Sequence, residues 1–200
     1  LDHVILDINK YVYENIFSIS NVSEIDLLQA ISIPFDDPKH VYFAEGLHGF
    51  PAFGLRAGSD LRTPHSLLLP LSMFENFAIV ASFKPSDGQG GFLFSVVTPS
   101  DSLISLGLSI TAAPALGMQV RVTDAQMLHM DDLIVMSLQE VSLFLTSLNK
   151  VRKEPLVKFT IPSLATTWNK LGIMVRGANV KLFINCEHVE SLSVSRPQVR

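Results

Sequence analysis

Through most of this chain apolar residues recur at every second position, the period of half-buried strands. Leu171, Ile173 and Val175 form one such run and Val180, Leu182 and Ile184 another, with Gly177-Ala178-Asn179 breaking them apart. The pattern predicts a hairpin over 168–187. A loop at Ala178-Asn179 sets Val175 opposite Leu182, Ile173 opposite Ile184 and Leu171 opposite Cys186, so that one face is wholly buried. The other face then carries Arg176 opposite Lys181 and Met174 opposite Phe183, two like charges and two large apolar groups.

Asn76 to Lys84 is apolar on both faces, through Phe77, Ile79, Ala81 and Phe83 on one and Ala78 and Val80 on the other. That marks a central strand. Further strands are expected at Phe92 to Val97, at Leu103 to Ile110 with Ile104, Leu106, Leu108 and Ile110 inward, at Met118 to Thr123 and at Leu156 to Ile161. Short pieces between Pro and Gly from Pro38 to Pro70 supply edge strands and connections. Two segments break the two-residue rhythm. Ser23, followed by Glu24 and Asp26, has the features of a helix start running to Ile31, with Pro34 beyond it. Leu128, Leu133, Met136, Glu140, Phe144 and Leu148 recur at helical spacing, so 124–153 reads as one helix, a helical insertion over 125–153. Residues 1–20 lack a clean period and read as a loosely attached lead-in to a domain over 21–200. The expected fold is all-β, an antiparallel β-sandwich with a short N-terminal helix and one helical insertion. Its expected core includes Phe77, Ile79, Phe83, Phe94, Leu106, Leu108, Trp168, Ile173, Val175, Leu182 and Ile184.

Composition narrows the function. Two hundred residues with 48% hydrophobic and 17% charged content suit one domain with a substantial core. A net charge of -4 and a pI near 5.8 argue against a general grip on nucleic acid. The longest apolar stretch, 133–148, carries Gln139 and Glu140 in its middle and is too short to span a bilayer. No secretory signal is visible in residues 1–20. Cys186 is the single cysteine, so no disulfide can form within these residues.

No nucleotide-binding glycine loop, nucleophile elbow or paired-histidine metal motif occurs, and the six histidines never fall at metal-ligand spacing. Neither a catalytic residue, a metal nor a cofactor is expected. Asp60, Asp87 and Asp101 lie in expected loops without the spacing of a calcium site. Glu24, Asp26 and Gln29 are similar to the Glu-x-Asp-x-x-Glu run of jelly-roll glycoside hydrolases, but an amide at Gln29 cannot carry the proton that glycosidic cleavage needs. Arg176 and Lys181, with Lys170 nearby in sequence, are candidates for holding a polyanion through charge-assisted contacts. Asn21-Val22-Ser23 is an N-glycosylation acceptor triplet.

Trp168, the strand that follows it, Gly177-x-x-Val180 and Asn185-Cys186-Glu187 together resemble the late strands of thrombospondin N-terminal-like domains, a branch of the laminin G-like group with the concanavalin A-like jelly-roll fold. Asp26 to Ile31, Phe74 to Ile79, Lys84-Pro85 and Gly90 to Val96 extend the resemblance toward the N-terminal non-collagenous domain of the multiplexin collagens (types XV and XVIII). It implies a non-enzymatic module of the extracellular matrix, secreted as part of a collagen-like parent trimer. Its partners would be matrix proteins or sulfated glycosaminoglycans such as heparin, with no membrane span. It also implies that Cys186 pairs with a cysteine beyond Arg200, in further strands of a domain that continues past these residues. The segment 125–153 departs from the family, which has a short connection there. No Gly-X-Y repeat is present. The alternative is a carbohydrate-active jelly-roll protein, either a lectin or a degenerate glycoside hydrolase around Glu24, Asp26 and Gln29.

Overall fold

A computed structural model describes residues 3–7, 24–70, 74–86, 90–98, 103–112, 138–146, 154–164 and 166–195. Eleven strands run in chain order among these residues: β1 His3–Asp7, β2 Val41–Glu45, β3 Pro51–Arg56, β4 Phe77–Pro85, β5 Gly90–Val97, β6 Ile104–Ala112, β7 Leu138–Leu145, β8 Val157–Pro162, β9 Asn169–Arg176, β10 Asn179–Ile184 and β11 Glu187–Ser193. They form an antiparallel β-sandwich. One sheet has seven strands in the order β11-β10-β9-β4-β1-β3-β2, and the other has four in the order β5-β6-β7-β8.

Alternation places the core. Phe83 of β4, Leu171, Ile173 and Val175 of β9, and Val180 and Leu182 of β10 face Leu106, Leu108 and Ile110 of β6, Val141 and Leu143 of β7, and Phe159 and Ile161 of β8. All are at most 5% exposed. Each such side chain contributes about 1.5–3 kcal/mol when fully buried. β4 lies between β9 and β1, the central position expected for it. Of the residues expected in the core, Phe77, Ile79, Phe94 and Ile184 are partly buried and pack against it, and Trp168 is only half-buried.

Three sequence expectations change. Residues 3–7, within the supposed lead-in, form β1 and pair with both β3 and β4 inside the larger sheet. The N-terminal helix is a single 3-10 turn, Leu27–Ala30, whose cap is Asp26: its carboxylate accepts from the Leu28 amide at 2.9 Å. The helical insertion is contradicted over Leu138–Leu145, which is strand β7 between β6 and β8. The reason is periodicity. Glu140 and Phe144 are four apart, which places them on one side of a helix but equally on one face of a strand. The intervening Gln139, Val141, Leu143 and Leu145 are the buried set. The remainder of 125–153, the expected strand at 118–123 and Asn21 lie outside the described residues. No helix among the described residues is long and apolar enough to cross a membrane.

Candidate functional site: the outer face of the β9–β10 hairpin

The hairpin forms with a register different from the expected one. Asn179 pairs with Arg176, Val180 with Val175, Leu182 with Ile173 and Ile184 with Leu171. The two-residue loop is therefore Gly177-Ala178. Gly177 takes a φ of +50° at its first central position, where glycine tolerates what other residues resist. The shift is two residues, so the residues within β9 and β10 keep their faces, but Cys186, expected opposite Leu171 on the buried face, falls in the turn after β10 and is exposed. Leu171, Ile173, Val175, Val180 and Leu182 are each 0% exposed.

What changes is who faces whom. Lys181 lies opposite Met174, not Arg176, and Arg176 lies opposite Asn179. Arg176 and Lys181 are diagonal neighbours on one face, with backbones about 7–8 Å apart. That spacing relieves the head-on repulsion of the expected register and leaves two cations at one corner. Lys170 shares the face but sits four positions along β9 from Lys181's partner, about 13 Å away. It is instead diagonal to Lys84, because Lys170 lies opposite Ser82. The structure thus brings Arg176 and Lys181 together and places Lys170 in a second basic corner. Among the described residues no ion pair engages Arg176, Lys181 or Lys170.

β11 completes the face without opposing charge. Ser191 lies opposite Lys181 and Ser193 opposite Asn179, while Glu190 and Glu187 pair with Leu182 and Ile184 and so belong to the other side. His188 stacks edge-on against Phe183 at 5.5 Å, and its Nε2 lies 2.7 Å from the Ser191 hydroxyl. Asn76 ties the loop down, its side-chain oxygen accepting from the Gly177 amide at 2.8 Å. Sequence reasoning missed this latch, since Asn76 is far from the hairpin in the chain.

Cys186 is a free, exposed cysteine. It occupies the second central position of the β10–β11 turn with a φ of +70°, after Asn185 at +51°, which is the type I′ pattern. Asn185 fastens that turn to β9: its side-chain oxygen accepts from the Lys170 amide and its own amide donates to the Lys170 carbonyl. Glu24, Asp26 and Gln29 lie at a capped 3-10 turn instead of on a strand, with Asp26 engaged as the cap. Asp60 pairs with Arg62 at 2.9 Å; Asp87 and Asp101 lie outside the described residues.

Fold and face together define an antiparallel β-sandwich with a rigid hairpin that displays paired cations beside serine, asparagine and aromatic groups. No family model matches the chain. Among curated proteins it is similar to the human collagen alpha-1(XVIII) chain, 21% identical over 127 residues, which are 64% of this chain and 6% of that much longer relative.

Proposed function

We propose that this chain is a non-enzymatic binding module of the extracellular matrix, a thrombospondin N-terminal-like domain of a secreted, collagen-like protein, and that it holds sulfated glycosaminoglycans on the outer face of β9 and β10. The likeness to a collagen chain over 64% of these residues carries the reading. The β-sandwich is compatible with it. Arg176 and Lys181 supply charge-assisted hydrogen bonds to sulfate, and the three-strand ladder fixes the backbone positions from which their side chains reach. Asn179, Ser191 and Ser193 offer neutral partners between the charges.

Attraction of this kind is screened by salt, with a Debye length of about 8 Å at physiological ionic strength. The chain is therefore expected to be retained on immobilised heparin at low salt and released as salt rises. Flow-through at low salt, or preferential binding to neutral glycans that survives high salt, would refute the glycosaminoglycan reading and favour a lectin.

A further inference from the structure

Where the two sheets part at the β5 edge, a cleft of about 900 Å³ remains between β4, β5 and the loop 59–69. Its floor is apolar. Ile79 and Ala81 of β4 and Phe94 and Val96 of β5 face the core there, yet each is only partly buried. Leu108, directly behind them, is 0% exposed. The packing that closes the rest of the sandwich stops short of this corner.

The walls are built features. β5 lines the cleft from Phe92 to Val97, with Thr98 just beyond it, and carries two register irregularities there, between Phe92 and Phe94 and between Val96 and Val97. Bulges of this kind bend a strand and re-aim its side chains, and they are over-represented beside binding sites. The facing loop is fastened: the Thr63 hydroxyl donates to the Ala30 carbonyl at 3.0 Å, and the Leu67 and Leu68 amides close a turn on the carbonyls of Pro64 and His65. At the rim Asp60 and Arg62 pair with each other at 2.9 Å, and Ser59 and His65 stand beside them as further polar groups.

From this we infer a binding site for a lipid-like small molecule, an apolar body with its polar end at the rim. The volume lies in the range of small-molecule sites, which combine apolar walls with a few polar groups. Apolar walls cannot solvate a charge, so the body of the ligand is uncharged and its polar end lies at the exposed rim. The site is separate from the basic corner, so either can fail without the other.

The test is fluorescence titration of the 200-residue chain with the neutral dye N-phenyl-1-naphthylamine, followed by displacement with 1-dodecanol. Saturable binding that the alcohol reverses is expected. Ala81→Leu and Val96→Phe each fill the cleft from one wall and should weaken the dye by about tenfold or more, a steric loss of the size that added methylenes produce in a pocket. Phe43→Ser, on exposed apolar surface outside the cleft, should leave it unchanged. The proposal is overturned by absent or non-displaceable dye binding, by undiminished affinity in a filled variant that keeps its β-sheet circular dichroism, or by loss of binding in Phe43→Ser.

Discussion

The two halves of the seven-stranded sheet obey the same alternation and end in different states. On β9 and β10 the inward residues Leu171, Ile173, Val175, Val180 and Leu182 are all 0% exposed. On β2 and β3 burial is uneven: Val41 is 1% exposed, yet Phe43, which pairs with Phe53 across the ladder, remains 59% exposed. The core cluster draws on β4, β9, β10 and β6 to β8, and on no residue of β2 or β3. The β2–β3 half is served by Phe35, whose ring packs at 4.8 Å from Phe43 and 6.1 Å from Phe53. Period determines which face a side chain takes; only the partner layer determines whether that face is dry.

The sharpest break of that comparison is a pair of aromatic deletions. Phe159→Ala, in the covered half, should destabilise by about 3–5 kcal/mol. Phe43→Ala should cost about 1 kcal/mol, the scale of an exposed aromatic contact. Urea unfolding measures both, and equal losses would mean the two halves are not packed differently.

Gln139→Leu probes polar closure in the covered half. Its side-chain oxygen accepts from the buried Leu164 amide at 2.8 Å, so removal strands a buried N–H and should cost about 1–3 kcal/mol. A neutral result in the same unfolding experiment would show that the amide finds another partner.

At the hairpin end, Cys186→Gly should stabilise by about 1 kcal/mol, because glycine accepts the left-handed backbone that a side chain resists. A lowered thermal midpoint would mean the turn relaxes in another way. The smallest effect belongs to the β2 side. A hydrogen bond from His40 holds the Asp37 carboxyl below its ordinary value of 3.8. A depressed folded pKa gives stability that is present above the ordinary value and lost as pH falls through the folded one. Asp37→Asn should flatten a slight acid-side slope in the midpoint, and an unaltered slope would show that the pair contributes nothing.

The hairpin was legible in the sequence because it is local and strictly alternating. Its face assignments within the two strands came out correctly, although the register was off by two and Cys186 fell in the turn and not on the buried face, since a shift of two preserves parity. Gly177 was the available signal: a Gly-X loop places glycine at the first central position and selects Gly177-Ala178 over Ala178-Asn179. β7 was misread because its outer residues Glu140 and Phe144 repeat every four, while the residues that decided its fate, Gln139, Val141, Leu143 and Leu145, repeat every two. β1 escaped notice because five residues are too few to establish a period. Trp168 was expected in the core, but it precedes β9 and is only half covered. The proximity of Arg176 and Lys181 was legible with the hairpin, whereas that of Lys170 and Lys84 depended on the pairing of β4 with β9, which no local pattern encodes.

The most direct test of the proposed role compares those two corners by salt elution from heparin. Arg176→Ala combined with Lys181→Ala should lower the eluting salt clearly, and Lys84→Ala combined with Lys170→Ala should lower it less, with urea stability of both double variants retained. An unchanged elution position for the Arg176 and Lys181 pair would contradict the assignment of this hairpin as the polyanion site.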